Sequence, residues 1–161
     1  MCARFGNTLT GEQLSLYFSL PGPGPQVTHR PDIRPTNQIP LILAQDGPRA
    51  VAEARWWLVP SWWKKELKDL PPMFNARAET VAEKPSFRSA FKSRRCLIPA
   101  TCFYEWTGDK GSKQKHRIAR VTGVPLIVQA PAQGGVLDHQ VGDWRRRGRS
   151  RRGTVAYATM R

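Results

Sequence analysis

Three things are scarce in this sequence. Cysteine occurs only at positions 2, 96 and 102 of 161 residues, too seldom for a disulfide scaffold. A reducing compartment fits that usage, and a cytoplasmic location is expected. No apolar run is long enough to cross a bilayer, and the first residues carry no apolar signal-peptide core. Acidic residues are the third shortage: 12 Asp and Glu stand against 26 Lys and Arg, for a formal charge of +14. Such an imbalance favours a polyanionic partner, nucleic acid first, over a merely soluble basic protein. There is also no P-loop, no G-x-G-x-x-G and no nucleophile elbow, so nothing indicates nucleotide-cofactor or serine-hydrolase chemistry.

What is present reads as one domain with enough chain for a core. Thr10-Gly11-Glu12-Gln13 has the capping-box pattern, and Leu14, Tyr17 and Phe18 follow at helical spacing, which predicts a helix over about 11–20. "PGPGP" at 21–25 ends it. Residues 39–43 read as a strand, and "RAVAEARWWLVPSWW" as one or two strands ending at Pro60. "SWWKKELKDL" reads as a loop or short helix. A short helix is expected near Pro85–Phe91 with Ser86 as its N-cap. "RRCLIPATCFYEW" suggests two strands broken at Pro99, and "KHRIARVTGVPLIVQA" a hairpin turning at Thr122-Gly123. Past Pro131 the periodicity fades. Residues 125–161 hold seven arginines, no lysine and two aspartates, a net +5, and the segment from 131 is expected to be a disordered basic tail.

Cys2 follows the initiator methionine. Were Met1 removed, Cys2 would carry an α-amine beside a thiol. An α-amine titrates near 7.7–8 against about 10.4 for lysine, so an appreciable share is neutral and nucleophilic at neutral pH. Attack on an aldehyde gives an imine, and the adjacent sulfur closes a five-membered thiazolidine. The plain alternative is a frayed terminus.

"NARAET" puts Asn75 and Arg77 on one side of a strand, where Arg77 could grip a phosphate and Asn75 a sugar or amine. An Arg77–Glu79 pair on a solvated face is the alternative. Glu105 in "FYEW" stands among aromatics, a setting that suits proton transfer, or is a surface carboxylate of an edge strand. Trp56, Trp57, Trp62 and Trp63 could stack on unpaired bases, with at least two of them expected in the core. Cys96, Cys102 and His116 lack a zinc-ligand spacing, and Cys96 is expected to be a buried small hydrophobe. His29 and His139 read as surface residues. No metal and no cofactor are expected.

The stretches "MCARF", "RPDIRPTNQIP", "RWWLVPSWWK", "NARAETVAEKPSFRSAFKSRRCLIPATCFYEW" and "KHRIAR" occur in that order. Together they resemble the SOS response-associated peptidase family, also described as abasic-site processing proteins, over residues 1 to about 128. The resemblance implies an α+β fold: a compact single domain with a barrel-like, mainly antiparallel β-core and short peripheral helices. It implies that Cys2 becomes the N-terminus and crosslinks to ring-opened abasic sites in single-stranded DNA. Asn75 would position the reacting centre, and Glu105 would be the acid/base group. Arg4 and Arg77 would hold phosphates, while Pro35 and Trp63 would pack on flanking bases. The protein would act as a monomer, with no membrane.

The sequence departs from the family pattern at Ala3, Trp57 and Cys102, and the family's C-terminal strands and catalytic "H-[DE]-R-M-P" motif are not found. His139 in "LDHQVGD" does not match that motif. The expected domain is therefore residues 1–130, incomplete at its C-terminal end, with activity impaired. A frameshifted origin of residues 131–161 is the favoured account. A non-catalytic single-strand-binding module and a non-functional truncated product are the alternatives.

Overall fold

The computed structural model describes residues 3–44, 48–133, 154–156 and 158–159. Their strands fall into two main groups. β1 (Phe5–Asn7), β2 (Arg30–Ile33), β7 (Cys102–Thr107) and β8 (Gln114–Ile118) form a four-stranded antiparallel sheet in the order β2-β1-β7-β8. β3 (Gln38–Leu43), β4 (Ala50–Arg55), β6 (Arg95–Ala100), β9 (Leu126–Gln133) and β11 (Ala158–Thr159) close into a barrel in the order β11-β4-β3-β6-β9. β10 (Thr154–Ala156) pairs with β5 (Asn75–Arg77). Two short helices, α1 (Gly11–Phe18) and α2 (Arg88–Ser93), and a 3-10 turn at Leu67–Asp69 lie around them. The fold is α+β with a barrel-like, mainly antiparallel core, as the resemblance implies.

β3 explains why the barrel holds. Five of its six residues are buried, because Ile39, Leu41 and Leu43 turn into the main core while Ile42 packs with Leu9, Leu14 and Phe18 on the other face. Ile39, Leu41 and Leu43 join Phe5, Ile33, Trp56, Cys96 and Ile98 in the main core. Burying such side chains contributes roughly 1.5–3 kcal/mol each. Cys96 is buried as expected, and burial pushes its thiol up to about 12.

α1 forms where its cap requires. The Thr10 hydroxyl accepts from the Gln13 amide at 3.1 Å, and the Gln13 side chain accepts from the Thr10 amide at 2.9 Å. Leu14 and Phe18 are buried, while Tyr17 is 40% exposed. The chain leaves the helix through Ser19 in the left-handed region, at φ 50°. The "PGPGP" segment then folds back on the helix start. A Cβ on Gly24 would stand 2.5 Å from the Glu12 backbone nitrogen, so only glycine permits this approach.

Several elements differ from the sequence reading. α2 starts at Arg88 and has no side-chain cap, so Ser86 is not its N-cap. β6 runs through Pro99 rather than breaking there. The β3–β6 ladder contains only the Ile42–Leu97 pair, so no partner on that side needs an amide at position 99. β8 and β9 are not a hairpin: β8 pairs with β7, and β9 pairs with β6 from Ala100–Leu126 to Arg95–Pro131. The turn at Gly123, with φ 71°, therefore carries the chain from the sheet to the barrel. Only Trp56 of the four clustered tryptophans is a core residue, and Trp62 is 51% exposed. The basic tail expected from residue 131 falls largely outside the described residues. Its described pieces are the end of β9, β10 and β11.

Candidate active site

A cavity of about 310 Å³ opens between the sheet and the barrel. Phe5, Phe103 and Glu105 line it from the sheet, and Ile98, Ala100, Leu126, Ile127 and Val128 from the barrel. Trp56, Asn75 and Arg120 complete the wall. Among the described residues the lining is mostly apolar with three polar groups, one carboxylate, one amide and one guanidinium.

Each polar group is placed by a local cause. Phe103 and Glu105 are two apart on β7, so both side chains point to the cavity face of the sheet. Asn75 opens β5 directly after Phe74. The buried Trp56 indole N–H donates to the Phe74 carbonyl at 2.9 Å and pins that junction. The Trp56 ring also meets Phe5 edge-on at 5.0 Å and Phe74 at 6.0 Å, which fixes the cavity floor. Arg120 lies on the crossing between β8 and β9.

The structure thus brings two sequence-predicted residues, Asn75 and Glu105, into one cavity. Cys2 lies outside the described residues. Arg4, Pro35, Trp63 and Arg77 do not line the cavity. Arg4 forms an ion pair with Asp32 at 2.9 Å and lies 5.6 Å from the Trp106 ring centre. Trp106 alternates with Glu105, so this cluster is on the opposite face of the sheet. Tyr104 shares that face. Its hydroxyl donates to the Pro31 carbonyl at 2.8 Å, and a hydrogen bond with the Cys102 side chain pushes its pKa up.

Pro35 is half-buried in the turn between β2 and β3, followed by Thr36 at φ 80°. That backbone is unusual for a β-branched residue, and the Thr36 amide is held by the Trp56 carbonyl at 3.1 Å. Trp63 is half-buried, with its indole N–H donating to the Glu66 carbonyl at 3.2 Å. Arg77 is exposed at the end of β5, on the same side as Asn75.

Two polar residues near the site were not singled out by sequence reasoning for such a role. Arg120 stands at the end of "KHRIAR", and no local pattern shows that the crossing returns it to Glu105. His116 is the ladder partner of Glu105 and accepts from or donates to the Thr107 hydroxyl at 2.7 Å. Only the β7–β8 register reveals that neighbourhood. Among the described residues, no group of three or more His, Cys, Asp or Glu could hold a metal ion. Nor is any described helix long and apolar enough to cross a membrane.

A family profile described as SOS response associated peptidase (SRAP) matches residues 1–137. The chain belongs to that family. The abasic site processing protein YoqW of Bacillus subtilis (strain 168) is 38% identical over 108 residues, 66% of this chain and 48% of that protein. The abasic site processing protein YedK of Escherichia coli (strain K12) is 28% identical over 138 residues, 81% of this chain and 59% of that one. The chain spans about half the length of the first of these relatives. A solved protein of Bordetella bronchiseptica matches with a TM-score of 0.67 at 26% identity, over 80% of this chain and 62% of that one. The family match covers both Asn75 and Glu105.

Proposed function

We propose that this chain processes abasic sites in single-stranded DNA by trapping them on Cys2. The observation that carries the reading is the convergence of Asn75 and Glu105 on one cavity next to Phe5. Cys2 precedes Phe5 by three residues, a reach of at most about 10 Å along extended chain. After removal of Met1, the Cys2 amine attacks the aldehyde carbon of the ring-opened sugar. Water leaves as the imine forms. The Cys2 sulfur then adds to the imine carbon, the thiol proton passes to nitrogen, and the thiazolidine closes with no change of oxidation state. Glu105 shuttles the protons of these steps, and Asn75 orients the sugar. Arg120 supplies a guanidinium to a phosphate beside the lesion. Arg4, Arg77, Pro35 and Trp63 engage the strand outside the cavity. The reading assigns processing to residues 1–130.

The test is a denaturing gel of purified protein incubated with a single-stranded oligonucleotide holding one abasic site. A shifted covalent band that Cys2→Ala abolishes is expected. No band, with Met1 shown absent by intact mass, would overturn the reading.

A further inference from the structure

We propose a second phosphate-binding site, a groove beside α2 that takes the phosphodiester backbone of DNA outside the reacting cavity. The groove measures about 680 Å³ and is lined by Ala82, Arg88, Ser89, Phe91, Lys92 and Arg95. Among the described residues, three of the six that line it are cationic and none is acidic. It shares no lining residue with the cavity of Asn75 and Glu105.

The arrangement is costly without a counter-charge. Arg88 and Lys92 are four apart on α2, and like charges at that spacing repel on a helix. Arg95 opens β6, two residues after the end of α2, and lines the same groove. Among the described residues, none of the three forms an ion pair with a carboxylate. The Nε of Arg95 is buried without a hydrogen-bond partner. Ser89 adds a hydroxyl and Phe91 an aromatic face, the mixture that a nucleic-acid backbone and its bases engage. A carboxylate-bearing peptide would answer the charge alone. Phosphodiester is favoured because it also answers the chain's overall +14, and this choice of partner rests on the proposed function.

The experiment measures binding of undamaged oligodeoxythymidylate, which cannot crosslink, over a salt series. Arg88→Ala/Lys92→Ala is compared with wild type and with the charge-preserving Arg88→Lys/Lys92→Arg. Loss of two phosphate contacts should flatten the slope of log affinity against log salt by about 1.4. The wild type's advantage should then shrink about sevenfold between 50 and 200 mM salt. The charge-preserving variant should follow wild type. An unchanged slope in the alanine variant, with its thermal melt intact, would overturn the site. Equal weakening toward poly-glutamate would overturn the assignment to nucleic acid. Crosslinking plays no part in this measurement, so its failure elsewhere leaves the groove result standing.

Discussion

Glu105 sits where a carboxylate can act. Phe103 flanks it on β7 and His116 stands across the ladder, while Asn75 and Arg120 share its cavity. Glu105→Gln keeps size and shape but removes the proton acceptor. The crosslinking rate should fall by about 10²–10⁴-fold, in the range of a general acid/base contribution, with the thermal melt unchanged. A quenched time course on denaturing gels measures it. Cys96 gives a residue-scale prediction of another kind. Its thiol is raised from 9.0 to about 12 by burial. Unfolded, the same thiol ionises above about 9, so unfolding releases a proton between those values. Stability should hold steady below pH 9 and then decline as pH rises toward 12, by up to about 1.4 kcal/mol per unit from this group. Urea unfolding of wild type and Cys96→Ala across pH 8–10.5 separates this slope from that of other groups: the variant should be flatter.

At the element scale, Thr10 offers the clearest prediction. Its hydroxyl caps α1 through the Gln13 amide, and replacing such a cap costs about 1 kcal/mol. Thr10→Ala should lower the urea midpoint accordingly, and Thr10→Ser should restore it. This helix was legible in the sequence because its signals are local: cap, box partner and apolar spacing lie within nine residues. The strand at Ile39–Leu43 was legible for the same reason. The β8–β9 hairpin was misread because partner choice is non-local. "KHRIARVTGVPLIVQA" contains a true turn at Gly123, but a turn does not state which strands pair across it. Pro99 was misread likewise, since whether a proline breaks a strand depends on whether a neighbour needs its amide. The candidate site was half legible. Asn75 and Glu105 were singled out as candidates from their motifs and from the family resemblance, whereas Arg120 enters the cavity only through that inter-sheet crossing.

At the scale of the whole molecule, the proposed function makes charge and aromatic surface separable in their expected contributions to binding. The chain carries +14, and each cation that meets a phosphate releases counter-ions, so affinity for single strands should fall steeply with salt. Arg77 is exposed at the end of β5, the strand whose first residue lines the cavity. Arg77→Ala should flatten the log–log salt slope by about 0.7, one phosphate's share for a single strand. On the proposed function, Trp63 would act by area instead. Its ring stands 6.2 Å from that of Trp62, and the pair forms a platform whose outer member is half exposed. Trp63→Ala should weaken binding by about 1–3 kcal/mol at every salt concentration and leave the slope unchanged. Fluorescence anisotropy with a labelled, undamaged single strand at four salt concentrations distinguishes the two. A slope change in the tryptophan variant would mean that its loss shifts the basic residues nearby. Unaltered affinity in both variants would place the path of the strand elsewhere, leaving the cavity of Asn75 and Glu105 to be approached from the side of Arg120.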